Sequence, residues 1–433
     1  MQKAWLCRII VGEYVLRFRQ NQNGKVMYYL IGEKLKHSYS KTIHNGQGFE
    51  YELKELDRGE VGEFLASRNF DGLNVTIPYK ESVLPYVEKS KLVESVGACN
   101  TIAKRDGKLF GFNTDVYGLK KALIEKDFEV DGKKTLILGS GGASKAAVKA
   151  VTELGGNPIV VSRKGENNYD NLFLHYDAGV IINATPVGMS PDCDGRILDL
   201  KPFKNLDGVM DFIYNPDKTP LIMQAEELGL KWQNGLSMLI WQALASEELF
   251  TGKAKDETEI SIDKRPNLFL KNIVLIGMPF SGKSTIGKEL SRICGFEFVD
   301  VDVEIERQGK TIPEIFASGG ESEFRKIEKT VIKEIAKKSQ KIIATGGGAV
   351  LDGENVYNLK QNGVLVLLNR DAIPSDLNGR PLVKNSDDFA ALKEKRKNYY
   401  MAAQDVIVSN DKDIGAVARE ILKKVGLDEN ISS

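Results

Sequence analysis

The sequence has few cysteines, few histidines and no surplus of charge of either sign. Its 4 cysteines, Cys7, Cys99, Cys193 and Cys294, form no CxxC pair and have no histidine at metal-ligand spacing. This pattern favours reduced thiols in the core of a cytoplasmic protein over a disulfide framework or a metal site. A formal net charge of +0 offers no basic surface for nucleic acid and no acidic excess of the kind that accompanies disorder.

Long apolar runs are absent as well. No stretch of 18 apolar residues occurs, so we expect no membrane span and no membrane partner. Residues 1–26 contain one short apolar patch, which Arg8 interrupts, and no small-residue cleavage site. We expect these residues to be an extension or a misplaced start rather than a signal peptide, because a strand-like run opens at Met27.

What is present is the composition of a globular protein of several domains. The chain has 433 residues, of which 42% are hydrophobic and 28% charged, and this length suits two to four domains of roughly 100–200 residues. Strand-like and helix-like segments alternate along most of it, which predicts an α/β fold. Residues 251–269 are rich in charge and predict a linker.

The clearest motif is a phosphate-binding loop. Gly277-Met-Pro-Phe-Ser-Gly-Lys-Ser284 lies between an apolar run, residues 272–276, and a helix-like segment. Glycines let the backbone aim N–H groups at phosphate oxygens, and the helix N-terminus adds its dipole. We expect Lys283 against the β- and γ-phosphates and the Ser284 hydroxyl on Mg²⁺. The motif predicts ATP-type nucleotide binding by Gly277, Ser281, Gly282, Lys283, Ser284 and Thr285.

A second glycine-rich turn predicts a dinucleotide-binding unit. Gly139-Ser-Gly-Gly-Ala143 follows an apolar strand and opens a helix, where a pyrophosphate is expected. The next strand ends at Arg163 and Lys164 instead of an acidic residue, which favours a ribose 2′-phosphate and hence NADP(H). The alternative is that both cations are simply solvated. The predicted cofactor-binding residues are Gly139, Ser140, Gly141, Gly142, Ala143, Ser162, Arg163, Lys164, Thr185 and Gly235.

Polar residues gather at strand ends in residues 27–126. Lys80 follows one predicted strand, and Asp115 and Asn100 lie in amide-rich segments further on. Ligand sites of α/β proteins lie at strand ends, so these residues are candidates for a site. Each of them alone could serve a loop or a helix cap instead, as Asp115 could before a helix. Gln242, inside an apolar helix-like run, needs a polar partner.

These motifs occur in the order found in two known families. Residues 27–252 resemble shikimate dehydrogenase through SxS with HN, NVTIPYK, GACNT, GFNTD, GSGGASKA, NATPVGM and NGLSMLIWQA. Residues 270–433 resemble shikimate kinase through GMPFSGKS, FVDVD, GESEFR, TGGG, GRPL and RxxxY. The resemblance implies an N-terminal α/β substrate domain and an NADP-binding Rossmann domain, followed by a P-loop α/β domain like that of nucleoside monophosphate kinases. The implied boundaries are 27–126 completed by helix 236–250, 127–235, linker 251–269, and 270–433.

The dehydrogenase resemblance implies NADPH-dependent reduction of 3-dehydroshikimate to shikimate. Lys80 and Asp115 would be the catalytic pair. Hydride arriving at a ketone leaves an alkoxide, which a lysine ammonium stabilises and protonates while a carboxylate positions the lysine. The substrate-binding residues implied are Ser38, Ser40, Thr76, Lys80, Asn100, Asp115, Tyr214 and Gln242.

The kinase resemblance implies phosphorylation of shikimate by ATP. Ser284 and Asp300 would hold Mg²⁺, the latter directly or through water. Arg380 would bind ATP and move in with a lid to stabilise charge on the transferring phosphoryl group. The catalytic residues implied in this half are Lys283, Asp302 and Arg380.

The same resemblance assigns the shikimate end of the kinase. Asp302 would contact the shikimate hydroxyls and could take the proton of the attacking one. Arg325 and Arg396 would bind the carboxylate, which suits paired guanidinium groups. In isolation both arginines could be ordinary helix-surface charges. The glycines that would let the backbone approach the ring are Gly346, Gly347 and Gly348.

Two stretches depart from the family patterns. The segment between Arg163 and Asn183 is short, which affects the adenosine-side wall, and residues 371–379 are short and lack an arginine expected near adenine. One alternative is a dehydrogenase that prefers quinate or NAD, and another is a non-catalytic sensor. Retention of the catalytic residues disfavours the sensor. The expected partners are small-molecule substrates, and a monomer and a homodimer both remain open.

Overall fold

The structure, a computed structural model, describes residues 27–35, 38–253, 271–370 and 386–427. The chain divides into two compact units. The first contains the described residues up to Gly188 together with 194–214 and 220–253, and the second contains 189–193, 215–219 and the described residues from 271 onward. Both units are built on parallel or mostly parallel sheets, so the expected α/β fold class is confirmed.

The first sheet combines parallel and antiparallel pairs. Its strands are β1 (Tyr28–Gly32), β2 (Tyr51–Glu55), β3 (Gly72–Val75), β4 (Glu88–Lys89), β5 (Thr101–Arg105) and β6 (Lys108–Phe112), in the order β2-β1-β3-β5-β6-β4. Its helices are α1 (Ser40–Gly46), α2 (Glu60–Ser67) and α3 (Lys91–Val96). The antiparallel pair β5–β6 differs from the expected alternation of strands and helices. Asp106 (φ 48°) and Gly107 (φ 75°) form its turn, and a two-residue Asp-Gly loop with positive φ at both positions is a hairpin signal.

The second sheet is parallel throughout. Its strands are β7 (Lys134–Leu138), β8 (Asn157–Val161), β9 (Val180–Asn183), β10 (Gly208–Asp211) and β11 (Lys231–Gln233), in the order β11-β10-β9-β7-β8. The helices of this part are α4 (Asp115–Glu125), α5 (Gly142–Glu153), α6 (Pro220–Glu227) and α7 (Gly235–Thr251). Every residue of β9 and β10 is buried, as expected for parallel strands covered on both faces. Ligands of such sheets bind at the carboxyl ends of the strands.

Helices α4 and α7 pack with their backbones in contact. A Cβ atom at Gly118 would lie 2.6 Å from the Met238 carbonyl oxygen and 3.0 Å from the Gln242 nitrogen. Only glycine allows this approach, because any other residue would collide with backbone atoms. The contact lies one turn from Asp115, and it therefore brings the start of α4 close to Gln242.

The second unit has one parallel sheet around the predicted phosphate loop. Its strands are β12 (Asn272–Ile276), β13 (Glu297–Asp300), β14 (Lys341–Ala344), β15 (Gly363–Asn369) and β16 (Val406–Ser409), in the order β13-β14-β12-β15-β16. The helices are α8 (Lys283–Cys294), α9 (Val301–Glu306), α10 (Ile312–Ala336), α11 (Gly353–Asn362), α12 (Ser386–Ala403) and α13 (Ile414–Lys424). Strand β12 is buried along its whole length. Gly320 (φ 68°) interrupts α10. Within the described ranges, no helix has the length and apolarity that a membrane crossing requires.

Replacement of Gly118 by alanine is expected to destabilise the first unit. The added methyl group would force α4 and α7 apart, and overpacking of this kind costs about 1–3 kcal/mol. Urea denaturation of the full chain, followed by circular dichroism, measures the effect. The matched control is Gly46→Ala, because a Cβ atom at this helical glycine meets nothing within 4 Å. Equal destabilisation by both variants would contradict the close-packing explanation.

Candidate active sites

An ion pair joins the two residues predicted to catalyse the first reaction. Lys80 lies in the segment that follows β3, and Asp115 is the first residue of α4. The Lys80 Nζ lies 2.6 Å from the Asp115 Oδ2, and the two side chains are 18% and 8% exposed. The N-cap residue of α4 is Thr114, and not Asp115 as the sequence suggested. The α4 dipole stabilises the carboxylate at this helix end.

Asn100 fixes the other side of this carboxylate. The backbone N–H of Thr114 donates to the Asn100 Oδ1 at 2.7 Å, so the amide nitrogen must point the other way. It donates to the Asp115 Oδ1 at 2.8 Å and to the Gln242 Oε1 at 3.4 Å. Both oxygens of Asp115 are therefore engaged, and Gln242 has the polar partner that its apolar helix required.

The remaining predicted substrate residues of this half form separate groups. Ser38 Oγ donates to Ser40 Oγ at 3.2 Å at the start of α1. The Tyr214 ring lies 5.3 Å from the Tyr39 ring. Burial, followed by the proximity of Tyr39, raises the pKa of Tyr214 to about 12, so its hydroxyl is protonated at neutral pH. Thr76 lies just past the end of β3 and is half-buried.

A buried hydroxyl that the sequence analysis did not single out lies next to Thr114, at the start of α4. Ser246 on α7 is fully buried. Its Oγ accepts from Asn74 Nδ2 at 2.8 Å and lies 3.0 Å from Thr101 Oγ1 and 3.1 Å from Thr114 Oγ1. The available signal was the polar run that begins with Ser246 and Glu247, one turn beyond Gln242 in a mostly apolar helix.

The dinucleotide loop lies beside the catalytic pair. Gly142 begins α5, and a Cβ atom placed on it would lie 4.0 Å from the Lys80 Cβ and 3.9 Å from the Ala98 Cβ. Gly139 (φ 108°) takes a conformation that favours glycine, and a Cβ atom there would lie 3.0 Å from the Thr185 Cγ2. The helix terminus expected to receive the pyrophosphate therefore faces Lys80, and Thr185 lies against the same loop.

The other predicted cofactor residues divide into two kinds. Ser140, Gly141 and Ala143 lie in or next to the loop, and Arg163 and Lys164 are exposed just past β8. Ser162 N donates to the Asn167 carbonyl at 3.0 Å and shapes the segment that carries these cations.

Gly235 has a packing role that suffices to explain it. This residue begins α7, and a Cβ atom there would collide with the Phe212 carbonyl oxygen. The close approach requires glycine whether or not a cofactor binds nearby.

In the second unit, the phosphate loop has the backbone that its glycines predict. Gly277 (φ 146°) and Gly282 (φ 90°) both lie in the positive-φ region, and Phe280 (φ 65°) adopts it as well. Lys283 Nζ donates to the Gly277 carbonyl at 2.9 Å and to the Met278 carbonyl at 2.8 Å. The lysine is thus placed against the loop it is expected to serve. Ser281, also predicted to bind ATP, is buried within the loop.

The predicted metal ligands are adjacent. Ser284 Oγ donates to Asp300 Oδ2 at 2.6 Å, and Asp300 Oδ1 accepts from the Asp302 backbone N–H at 3.1 Å. A hydroxyl and a carboxylate oxygen are ligands that suit Mg²⁺. Thr285 follows on α8 and is exposed. Arg380, expected to act on the phosphoryl group, lies outside the described residues.

The arginines expected to bind shikimate converge on the glycine turn after β14. Arg396 Nη1 donates to the Gly347 carbonyl at 2.9 Å, and the Tyr400 hydroxyl donates to the same oxygen at 2.5 Å. The Arg325 guanidinium occupies the space that a side chain at Gly348 would need. The absence of a side chain at Gly348 makes room for Arg325, whereas a Cβ atom at Gly347 would meet Pro279.

Glu328 is a further residue of this site that the sequence analysis missed. It is 0% exposed, and its Oε2 accepts from Arg325 Nη1 at 2.7 Å. Its Oε1 has no hydrogen-bond partner among the described residues and lies 2.9 Å from the Cβ position of Gly346, beside the Asp302 carboxylate. Burial raises the pKa of Glu328. Its spacing of three residues from Arg325 on one helix was the available signal.

Comparison with known proteins identifies both units. Residues 30–102 match the shikimate dehydrogenase substrate binding domain and residues 279–426 match shikimate kinase. The shikimate dehydrogenase (NADP(+)) of Caldicellulosiruptor bescii is 34% identical over 255 residues, which cover 51% of this chain and 88% of that protein. The chain belongs to the shikimate dehydrogenase family. It also carries a shikimate kinase domain in its C-terminal part.

Solved structures show the same dehydrogenase fold. A chorismate mutase/shikimate 5-dehydrogenase fusion protein from Clostridium acetobutylicum superimposes with a TM-score of 0.52 at 34% identity, covering 55% of this chain and 94% of that one. Shikimate 5-dehydrogenase from Thermus thermophilus, solved with NADP(H) and shikimate, gives a TM-score of 0.50 at 30% identity, covering 54% of this chain and 96% of that one. The two-family assignment drawn from the motifs is confirmed.

Glu328→Gln is expected to weaken the kinase reaction at least tenfold in kcat/KM for shikimate. The change leaves the Arg325 guanidinium without its buried charged partner, and breaking such a pair is costly. Steady-state phosphorylation assays measure it, with thermal unfolding of the full chain as the folding control and dehydrogenase activity as the measure of active concentration. Glu321→Gln is the matched variant: Glu321 contacts the same arginine at 3.0 Å but is 51% exposed, so less than a twofold effect is expected. Similar losses in both variants would contradict the role given to Glu328.

Proposed function

We propose that this chain is a bifunctional enzyme that reduces 3-dehydroshikimate to shikimate with NADPH and then phosphorylates shikimate to shikimate 3-phosphate with ATP and Mg²⁺. The observation that carries the first activity is the Lys80–Asp115 pair placed beside the dinucleotide loop at Gly142. The phosphate loop and the arginine-lined glycine turn support the second. The product of the first reaction is the substrate of the second, so the two activities in one chain are chemically consistent.

In the first reaction, Lys80 acts as the general acid. The bound cofactor supplies a hydride to the carbonyl carbon, and the carbonyl oxygen then needs a proton. The Lys80 ammonium stabilises the developing negative charge and gives that proton, which converts C=O to CH–OH. Asp115 holds the ammonium in place, and Asn100 prevents the carboxylate from turning away. Lys80 is 18% exposed, so it can recover its proton from solvent.

Binding of the cyclic hydroxy acid in this unit is assigned to the surrounding polar groups. The adjacent hydroxyls of Ser38 and Ser40 are proposed to hold the carboxylate, with Tyr214 nearby. Thr76 and Gln242 are proposed to hold ring hydroxyls together with the catalytic pair. Hydroxyl and amide groups fix the orientation of a neutral ring without adding charge beside the reacting carbon.

The cofactor of this unit is proposed to be NADP(H). The open α5 terminus fits a pyrophosphate, and the exposed cations Arg163 and Lys164 fit a 2′-phosphate. The relative from Caldicellulosiruptor bescii is named as NADP(+)-dependent, and the Thermus thermophilus structure contains NADP(H). The domain boundaries proposed are 27–126 with 236–250, 127–235, a linker at 251–269, and 270–433. Use of NADPH and ATP suits a cytoplasmic enzyme.

In the second reaction, the protein positions two anionic substrates. ATP supplies the phosphoryl group, whose oxygens the loop N–H groups and Lys283 are proposed to bind. Ser284 and Asp300 would hold Mg²⁺. Arg325 and Arg396 would hold the shikimate carboxylate, which leaves Asp302 to accept the proton of the attacking hydroxyl. Arg380 is proposed to stabilise the transferring group.

Lys80→Ala should lower the rate of shikimate oxidation by NADP⁺ at least about a hundredfold, which is the usual range for a lost general acid. The rate of phosphorylation should stay unchanged. Lys283→Ala should have the reverse effect. Initial rates of both reactions on each purified variant decide this, and wild type supplied with 3-dehydroshikimate, NADPH, ATP and Mg²⁺ should form shikimate 3-phosphate. Lys145→Ala is the control. This exposed lysine lies on α5, close to the dinucleotide loop, and pairs with Glu81. Loss of both activities in either folded catalytic variant would refute two independent sites.

Removal of Mg²⁺ should separate the reactions in a different way. Chelation by EDTA is expected to stop phosphorylation and to leave dehydrogenation intact, because the proposed reduction uses Lys80 as the acid and involves no metal ion. Ser284→Ala should raise the Mg²⁺ concentration for half-maximal phosphorylation several-fold, since one proposed oxygen ligand is lost. An unchanged Mg²⁺ dependence in this variant would remove Ser284 from the metal site.

A further inference from the structure

A buried acid–base pair links helices α1 and α7 of the first unit. His44 Nδ1 lies 2.7 Å from Glu247 Oε1, and both side chains are 0% exposed. The His44 ring stacks on Tyr51, with ring centroids 4.1 Å apart and an interplanar angle of 21°. The reaction proposed above uses neither group, so the pair calls for a separate explanation.

Apolar residues of the two helices pack next to the pair. Ile43 on α1 and Ile240, Ala243 and Leu244 on α7 form one buried cluster around the helix contact. Apolar contacts are non-directional and tolerate sliding, whereas a hydrogen bond at 2.7 Å constrains both distance and angle. Separating a buried carboxylate from its partner is costly. The pair therefore sets the register of α1 on α7.

Both helices carry residues assigned to the substrate. Ser40 lies one turn before His44 on α1, and its hydroxyl contacts Ser38. Gln242 lies on α7, five residues before Glu247, and reaches Asn100. A shift of one helix along the other would change the separation between the serine hydroxyls and Gln242 directly.

A second set of contacts extends from the same place to the base of the site. The Tyr51 hydroxyl donates to Asn74 Oδ1 at 2.8 Å, and Asn74 Nδ2 donates to Ser246 Oγ at 2.8 Å. Burial, with the nearby Glu247 carboxylate, raises the pKa of Tyr51 well above its ordinary value, so Tyr51 remains a proton donor. The stacking of His44 on Tyr51 thus connects the helix contact to the hydroxyl cluster below Asn100.

We propose that His44 and Glu247 are positioning residues of the dehydrogenase reaction, which fix the Ser38–Ser40 hydroxyls at the distance from Gln242 that the cyclic hydroxy acid requires. This inference rests on the dehydrogenase function proposed above. It assigns no contact between the pair and the substrate. The expected effect is on affinity for the hydroxy acid more than on the chemical step, because Asp115 is held directly by Lys80 and Asn100.

The test is shikimate oxidation by the full-length chain with NADP⁺. Glu247→Ala is expected to raise KM for shikimate at least tenfold and to change kcat and KM for NADP⁺ less than threefold. Glu247→Gln keeps an oxygen that accepts from His44 and should recover KM to within about threefold of wild type. The control is Lys41→Ala. Lys41 lies on the same helix as His44 and forms an exposed ion pair with Glu52 on β2, so no change is expected.

A double variant distinguishes positioning from stability. His44→Phe combined with Glu247→Leu replaces the pair by apolar groups, an exchange that often preserves or increases stability. We expect this variant to fold, as judged by thermal unfolding and by a KM for NADP⁺ within threefold of wild type, yet to keep the raised KM for shikimate.

Three results would overturn the inference. They are a wild-type KM in the folded double variant, an unchanged KM in Glu247→Ala, and a lower kcat at constant KM, which indicates only a smaller folded fraction. A wild-type chain that phosphorylates shikimate but does not oxidise it would refute the dehydrogenase function as well, and this outcome is distinct from an active wild type with unaffected variants.

Discussion

The geometry of the first site depends on one amide whose orientation cannot be reversed. The Thr114 N–H can only donate, so Asn100 must present its oxygen there and its nitrogen to Asp115 and Gln242. That arrangement leaves one carboxylate oxygen of Asp115 for Lys80. Four residues from different segments are thereby held in fixed positions relative to one another: Lys80, Asn100, Asp115 and Gln242. A flipped Asn100 would place its oxygen against the acceptor oxygens of Asp115 and Gln242. Preorganisation of this kind lets a lysine ammonium stabilise charge without rearrangement during the reaction.

Local motifs made large parts of the structure predictable. The phosphate loop and the dinucleotide turn each encode a strand, a glycine-rich bend and a helix within about fifteen residues, and the positive φ values of Gly139, Gly277 and Gly282 agree with that expectation. The α/β class followed from the same alternation. Lys80 and Asp115, 35 residues apart, could be paired only through the family resemblance, because nothing in either segment alone requires the other.

What the sequence did not reveal involves partners distant in the chain or signals left unused. His44 and Glu247 are separated by 203 residues and Asn74 and Ser246 by 172, and no periodicity indicates which polar residue in an apolar helix faces which other. Gln242 was noticed because a buried amide needs a partner, and the same reasoning applied to Ser246 and Glu247 would have found them. The β5–β6 hairpin was missed although its Asp-Gly turn was visible, since the block was interpreted as alternating strands and helices.

The two sites solve a common problem in different ways. Each places a cation for an anionic group and holds it with a buried carboxylate, Asp115 for Lys80 and Glu328 for Arg325. Asp115 has both oxygens engaged and lies at a helix N-terminus. Glu328 is fully buried with one oxygen lacking a partner among the described residues, and burial raises its pKa. Asp115, which orients the proposed general acid Lys80, therefore has both oxygens occupied, whereas Glu328 keeps one acceptor oxygen beside Asp302, the proposed proton acceptor of the second reaction. A group that only orients a general acid must not compete for its proton, whereas Glu328 orients a substrate-binding arginine, and the proton of the second reaction is assigned to Asp302.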